Sequence, residues 1–459
     1  MWHEILFRVL SIINYVVLIV IAIPLLLQLI YVLFAFIPKK RWPKSEKKGR
    51  IAYLIPAHNE GSVIADTVRN VLEGQNYPKE LYDVYVVAHN CTDDTAELAR
   101  EAGAKVLVLN DPDPAHRMAL YPLKHGVQEL IALEGEEAYD MIVHLDADNR
   151  INAEFSSLMN DAYQSGVDFA RPYEGALNGA QNFYTKACAL FYAFDSRFGS
   201  RVRERMGVAA HVNGSGAMMS VRMLRECGGY DCVSISDDAE FNFNRMLEGR
   251  KGHYVEDAIV YEDMPSSFRD TLNRNKRIGS GGMKLLKEKL LKMFGKFFTT
   301  GNFSFMEMFL TYIFNFLTIL ISIWIPLYYV YHFTYTALII NGVISVSWMP
   351  VSFYASMLWT TLWCAVGIAG GLFILFGFGQ AALLAILDYK KLGAKHRREL
   401  ISAVLLFPVF LLLYAITLCI GALSKPSWGK VARNVPPPQS SAEDAQSDEH
   451  TPDGADGAQ

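Results

Sequence analysis

Paired cysteines, a basic excess and evenly spread charge are all missing from this chain of 459 residues, and each absence removes a class of function. Its six cysteines, Cys91, Cys188, Cys227, Cys232, Cys364 and Cys419, include no pair at CxxC spacing and no histidine partner at zinc spacing. Neither a zinc module nor a disulfide framework is therefore indicated, and the six read as scattered reduced thiols. Lys and Arg total 43 against 47 Asp and Glu, a net charge of −4. That balance gives no support to nucleic-acid binding, which normally needs a strong basic excess.

The third absence is local. Between Arg8 and Lys39 there is no Asp, Glu, Lys or Arg, a longer run than the about 20 residues that cross a bilayer. A secretory signal would have an apolar core of only about 7–15 residues and a small-residue cleavage site. This run ends instead in Phe36-Ile37-Pro38, followed by Lys39, Lys40, Arg41, Lys44, Lys47, Lys48 and Arg50. Residues 1–38 are expected to be a retained transmembrane anchor, with the basic cluster on the cytoplasmic side. Met308 to Leu387 and Leu400 to Ser424 are also uncharged, which makes 305–424 a C-terminal transmembrane region. Counting its crossings exposes a conflict. Lys390, Lys391, Lys395, Arg397 and Arg398 read as cytoplasmic, and so do Lys425, Lys430 and Arg433, yet one apparent span separates them. Either that span, which contains Pro408, re-enters or lies shallow, or one basic loop breaks the rule. The number of crossings stays open.

Residues 50–282 have the composition of a soluble α/β domain. Ile51 to Ile55 is a short apolar run stopped by Pro56, Val84 to Ala88 a second, Ala104 to Leu109 a third and Asp140 to Leu145 a fourth. Helical patterns over Val63–Leu72 and Ala96–Ala102 separate the first three, which predicts a mostly parallel sheet with helices on both faces. Ligands bind such sheets at the carboxyl ends of their strands. From 283 to 304 lysines at 284, 287, 289, 292 and 296 interleave with Leu285, Leu286, Leu290, Leu291, Phe294, Phe297 and Phe298. This is the pattern of an amphipathic interfacial helix, or of a surface helix packed on its own domain. The segment 434–459 is Pro-, Ser-, Gln- and acid-rich without large apolar residues, so it is expected to be disordered.

Three constellations could carry chemistry. Asp146 and Asp148 end an apolar strand; two carboxylates one residue apart suit Mg²⁺ or Mn²⁺, which take oxygen ligands and often share them with substrate phosphates. A solvated strand-end turn is the bland alternative. Asp237 and Asp238 open a predicted helix, Ala239–Glu248, either as capping groups at its positive end or with one of them as a general base. Arg274, Lys276 and Arg277 suit a diphosphate or, beside a membrane, lipid headgroups.

The order of these segments carries a resemblance. Ile55-Pro-Ala-His-Asn-Glu60, Val86-Val-Ala-His-Asn-Cys-Thr-Asp-Asp-Thr95, Leu145-Asp-Ala-Asp148, Asn213-Gly-Ser-Gly216, Ser236-Asp-Asp-Ala-Glu240 and Arg274 to Gly281 together resemble the family 2 glycosyltransferases. The membrane-bound branch of cellulose, hyaluronan and poly-N-acetylglucosamine synthases is the nearer likeness, over roughly residues 50–282. The resemblance implies a GT-A type α/β nucleotide-sugar transferase domain set between N-terminal and C-terminal transmembrane helices, multi-pass in the plasma membrane with the catalytic domain cytoplasmic. Its implied partners are a nucleotide-sugar donor (a UDP-sugar in this family's pattern), a glycan or lipid-linked acceptor and membrane lipids, with no nucleic acid. Pro56, Asn59, Glu60, His89, Asn90, Asp93, Asp146, Arg274 and Arg277 fall to the donor. Asp146 and Asp148 fall to a Mg²⁺ or Mn²⁺ ion, and Gly214, Ser215, Gly216 and Asp237 to the acceptor. Asp238 takes the place of the catalytic base, which implies inversion at the anomeric carbon.

Two departures bear on specificity. Where the family commonly has an acidic residue near the nucleobase, this chain has Ala88-His89, leaving Asp93, Asp94 or His89 itself to contact the base. Ile278 stands where processive synthases carry a Trp that stacks on the acceptor, so only Arg277 of the Gln-x-x-Arg-Trp motif is kept. The several apolar helices favour a polysaccharide synthase in exopolysaccharide or cell-envelope glycan synthesis, whereas Ile278 favours a single-sugar transferase to a lipid carrier. An inactive glycosyltransferase-like scaffold is the reading from a different class.

Overall fold

The structure, a computed structural model, describes residues 2–212, 214–346 and 350–424. The tail 434–459, Asn213 and the basic residues Lys425, Lys430 and Arg433 lie outside the described residues. Eight strands form one sheet: β1 Ile51–Ala57, β2 Tyr82–His89, β3 Lys105–Leu109, β4 Met141–His144, β5 Arg150–Ile151, β6 Phe169–Ala176, β7 Met218–Ser220 and β8 His253–Glu262. Their order is β3-β2-β1-β4-β7-β6-β8-β5. The first four run parallel, as the alternation of strands and helices predicts. Beyond them the sheet is mixed: β7 lies antiparallel to both β4 and β6, β6 and β8 are parallel, and β5 is antiparallel to β8.

Successive side chains of a strand point to opposite faces, and β1 shows it. Ile51, Tyr53 and Ile55 pack with Ile64, Val68 and Val71 of the helix Ile64–Gly74 and with Phe155 and Met159 of Phe155–Gln164. Ala52 and Leu54 pack on the other face with Leu123, Val127 and Leu130 of Leu120–Ile131. Both faces are covered, so the strand is apolar throughout rather than alternating.

Pro56 does not stop β1, which runs on to Ala57 and pairs Pro56 with Val87 of β2. Leu54 accepts from Leu145 on the β4 side, so Pro56, two residues on, would aim its missing N–H at that same side. β4 has already ended there, and no ladder bond is lost.

Three long apolar helices share two ends. Trp2–Phe34 and Phe303–Ile340 run antiparallel. His3 Nδ1 lies 3.0 Å from the Tyr335 hydroxyl, Tyr328 meets Ser11 at 3.1 Å, and Tyr31 donates to Glu307 at 2.8 Å. Val351–Leu372 continues, through a widened turn at Phe373–Gly379, to Leu387. At its start Tyr354 packs against Phe7 and Tyr335. Past its other end Asp388 accepts from Arg197 of the α/β domain, Nε at 2.7 Å and a second nitrogen at 2.8 Å. One end of this bundle is therefore bound to the α/β domain and the other is remote from it. By length and composition Trp2–Val20, Ile323–Ile340 and Arg397–Ala422 are candidate membrane spans.

The basic segment expected to begin at 283 has no break there. The helix Phe268–Leu285 passes through a widened turn, Leu286–Leu290, into Leu291–Thr300. Leu285 and Met293 are buried with Phe243 and Met246 of the α/β domain, while Leu291 and Phe298 are exposed. One face packs on the domain, as the surface-helix alternative has it, and the opposite face is exposed. The five described thiols, Cys91, Cys188, Cys227, Cys232 and Cys419, are all unbridged.

Candidate active site

Two sets of loops meet where β1, β2 and β4 end. The first follows β1 and β2. Asn59 (φ 55°) and Asn90 (φ 50°) are the two non-glycine residues with positive φ among those described, a conformation that Asn adopts more readily than most. The Asn59 side-chain oxygen accepts from the Thr92 N–H at 2.8 Å, and the Glu60 N–H donates to Thr95 Oγ1 at 2.9 Å. Asp93 accepts from the N–H groups of Gly61 (3.2 Å) and Thr95 (3.1 Å). Asp93 thus spends its oxygens fastening the two turns together.

His89 is buried at the end of β2, its Nε2 3.1 Å from the Asn90 amide. Burial, then the neighbouring His58, lowers its pKa below the usual histidine value. Asn90 holds the backbone of Asp111 through both ends of its amide, at 2.8 and 2.9 Å. Asp111 in turn meets His116 Nδ1 at 2.7 Å. His58, Asp111 and His116 therefore join His89 in one cluster. Sequence reasoning missed these three: Asp111 and His116 lie outside any motif, and His58, although inside the Ile55–Glu60 segment, was not singled out.

The second set centres on Asp146. Its backbone N–H donates to Ser215 Oγ at 2.9 Å, and the N–H of Gly214, the preceding residue in the chain, donates to Asp238 Oδ2 at 2.8 Å. Consecutive loop residues thus hold the strand-end segment and the helix-start carboxylate side by side, although 92 positions separate them in the sequence. Gly214 has φ 78°, and a Cβ there would stand 2.8 Å from Glu174 Oε1, so the loop passes where only glycine fits. Asp238 Oδ1 also accepts from the Ala239 N–H at 2.7 Å. Two N–H groups aim this carboxylate and leave each oxygen a free lone pair.

Arg277 faces the same point. Burial, then neighbouring Arg274, lowers its pKa, while Asp146, Asp238 and Asp237 act against that shift. Arg274 is otherwise engaged: it donates to Glu262 at 3.0 Å and lies 4.6 Å over the Tyr192 ring. Asp237 turns toward the Tyr230 hydroxyl at 3.2 Å, and burial, then Asp238, raises its pKa. His144, at the end of β4, is 14% exposed, with Nε2 3.6 Å from Asp146 Oδ1. Burial outweighs Asp146 and Asp238 and holds it below the usual histidine pKa. Tyr312, from the apolar helix Phe303–Ile340, lies within electrostatic reach of Asp238 and edge-on to Phe243 at 4.8 Å. His144, Glu262 and Tyr312 were not singled out by sequence.

Asp146 is half exposed and Asp148 is buried. Among the described residues no three His, Cys, Asp or Glu side chains converge as a metal cage. An all-oxygen pair of this kind fits Mg²⁺ or Mn²⁺ held by one or two carboxylates and completed by phosphates, and does not fit a four-ligand zinc site.

A family model described as Glycosyl transferase family group 2 matches residues 141–372, just over half of the chain. The β-monoglucosyldiacylglycerol synthase of Nostoc sp. (strain PCC 7120) is 28% identical over 203 residues, 43% of this chain and 41% of that protein. The enzyme of the same name from Trichormus variabilis is 27% identical over 227 residues, 48% and 46% of the two chains. The matched stretches thus span less than half of these relatives. Among solved structures, a mannosyltransferase from Pyrobaculum calidifontis, in complex with GDP-Man and Mn²⁺, superposes over 92% of this chain and 98% of its own, with a TM-score of 0.51 and 15% identity. That likeness shows a shared GT-A-like fold.

Proposed function

The chain belongs to glycosyl transferase family group 2, and from that premise we propose that this glycosyltransferase moves a sugar, with inversion, from a nucleotide-sugar to an acceptor carried by the membrane. The observation that supports it most is the Gly214-Ser215 pair, which joins Asp238 to the Asp146 segment beside Arg277.

Asp146 and Asp148 would hold Mg²⁺ or Mn²⁺, which supplies neutralisation of charge on the departing nucleoside diphosphate. Arg277 adds a fixed positive charge on the same side. Asp238 takes the proton from an acceptor hydroxyl as that oxygen attacks the anomeric carbon from the face opposite the leaving group. Its two N–H bonds orient it without using up its lone pairs. His89, Asn90 and the Asp111–His116 pair are assigned to the nucleobase end, where an acidic group from beyond β3 supplies what Ala88 cannot. Asp93, committed to the turns, is given a supporting part.

Tyr312, within electrostatic reach of Asp238, favours an acceptor delivered from the apolar helices. The two relatives, both β-monoglucosyldiacylglycerol synthases, lean the same way. Ile278 favours one-sugar transfer over polymerisation. The test is release of nucleoside diphosphate from a panel of UDP- and GDP-sugars by the purified chain, with and without divalent metal and membrane lipid acceptors. Product length then separates lipid from polymer products. Failure to turn over any donor in any metal would leave only the scaffold reading.

A further inference from the structure

The helix Ile401–Ala422 sits in the most apolar of the candidate spans, with a mean hydropathy of 2.7, yet both of its ends rest on the α/β domain. We propose that it does not cross the bilayer, but lies in the leaflet nearest the catalytic domain with one face seated among lipid acyl chains.

The near end follows the loop that closes the domain. The Ala176 N–H, at the end of β6, donates to the Lys391 carbonyl at 2.9 Å, and Leu392, Leu400 and Ala403 are buried with Ala176 and Ala189. At the far end Asn275 donates to Thr417 Oγ1 at 2.7 Å. A Cβ on Gly421 would stand 2.7 Å from the Asn275 carbonyl and 2.8 Å from Lys276 Cα. Asn275 lies on Phe268–Leu285, between Arg274 and Arg277. The 22 residues extend about 33 Å, enough to cross, but a crossing helix would carry its far end away from the domain. Each of the three bundle helices does have such a remote end, and this helix has none.

Its free face is continuous. Ile401, Leu405, Val409, Leu412, Ile416 and Ile420 recur every three or four residues and are 42–62% exposed, while Ala403, Phe407, Phe410, Thr417 and Gly421 face the protein. An apolar stripe along the whole length of a helix laid on its domain fits a lipid surface. Charge at the near end agrees. Tyr389, Lys395, His396, Arg397 and Arg398 line a shallow hollow of about 670 Å³. The nearby acid Glu399 turns back to accept from the Lys395 and His396 N–H groups. That leaves a basic rim suited to anionic headgroups. The placement also removes the conflict in the sequence, because no crossing then stands between its two C-terminal basic runs.

The test uses the full chain in sealed vesicles of known orientation, its native cysteines replaced and the fold confirmed by monodispersity. Single cysteines are placed at Lys395→Cys and Ser424→Cys, with Glu129→Cys in the α/β domain as reference. A membrane-impermeant maleimide is expected to label all three from one face; labelling of Ser424→Cys only from the opposite face overturns the proposal. Fluorophores at Leu405→Cys, Leu412→Cys and Ile420→Cys, quenched by brominated lipids, should report one shallow depth. A depth maximum at position 412 with shallower flanks overturns it. Absence of lipid quenching combined with cross-linking between copies at these positions also overturns it, by assigning the face to a second copy of the chain.

Discussion

Replacing Asp238 by Asn tests the proposed chemistry most directly. The carboxylate accepts two backbone N–H bonds, from Gly214 at 2.8 Å and Ala239 at 2.7 Å. An amide can satisfy one of them through its oxygen, but must turn its NH₂ toward the other. That local mismatch costs about 1–3 kcal/mol of stability. Loss of general-base assistance costs about 10²–10⁴-fold in rate, equivalent to about 2.7–5.4 kcal/mol of barrier at 1.36 kcal/mol per tenfold. The two effects are of similar size, so stability and rate must be read separately. Thermal unfolding gives the first and initial-rate release of nucleoside diphosphate, with acceptor present, gives the second. Equilibrium donor binding should change less than about threefold, because Asp238 is not assigned to the donor. A folded Asp238→Asn protein that transfers sugar within tenfold of the parent would refute the base assignment. Equal losses in donor affinity and in rate would instead point to collapse of the Gly214 loop.

Three further outcomes are expected. Asp146→Asn should abolish metal-stimulated turnover, and added Mn²⁺ should not restore it; stimulation equal to the parent's would remove Asp146 from the metal site. Gly214→Ala, which puts a Cβ at φ 78° and 2.8 Å from Glu174 Oε1, should destabilise the chain by more than about 1 kcal/mol. It should also slow transfer at least tenfold with donor binding kept, and a silent variant in both assays would contradict the close passage. Asp237 has its pKa raised by burial and by Asp238, so between the ordinary carboxylate range and its folded pKa the native state binds more protons than the unfolded one. Stability therefore falls as pH rises through that window, by at most about 1.4 kcal/mol per pH unit for one group. Asp237→Asn should gain apparent melting temperature relative to the parent as pH is raised from the acid side toward neutrality, and a pH-independent difference would count against the shift.

Elements whose signal is local were legible in the sequence. An apolar run ending in Asp146-Ala147-Asp148 predicts a strand delivering carboxylates to the sheet's edge, and β4 does so. What brings Asp238 to that end of the sheet was not legible, because it depends on β7 running antiparallel beside β4 and on a glycine loop whose Gly214 N–H donates to Asp238 while its Ser215 hydroxyl accepts from the Asp146 N–H. Arg277 is the retained arginine of the motif, and Arg274 groups with it as a phosphate ligand by spacing alone. Their roles diverge because one helical turn places Arg274 against Glu262 and Tyr192, while Arg277 faces the carboxylates. Pro56 misled because proline forbids only a bond that must be made, and the missing partner strand is invisible in sequence. At 401–422 hydropathy left a crossing and a shallow placement both open, since it measures what a helix can be buried in and is blind to which protein surface its other face has already found.

Glu307 shows what lies beyond pattern reading. It ranks as an isolated acid at the edge of an uncharged run, yet it is fully buried and accepts from Tyr31 (2.8 Å), Arg203 Nε (2.9 Å) and Thr311 (2.9 Å), with His211 Nε2 at 3.0 Å. Those partners come from the first apolar helix, the α/β domain, its own helix and the segment that leads into Gly214. A buried charge with this many partners is costly to assemble and far more costly to break, so Glu307 ties the apolar bundle to the α/β domain and to the His211 segment. Tyr312, one turn and a half further along the Glu307 helix, is thereby held near Asp238. An acceptor arriving from the bilayer side would therefore meet a carboxylate whose position relative to the apolar helices is already set. On the proposed reading, that fixed relation, more than any single motif, would let a domain that binds a water-soluble donor act on an acceptor that stays in lipid.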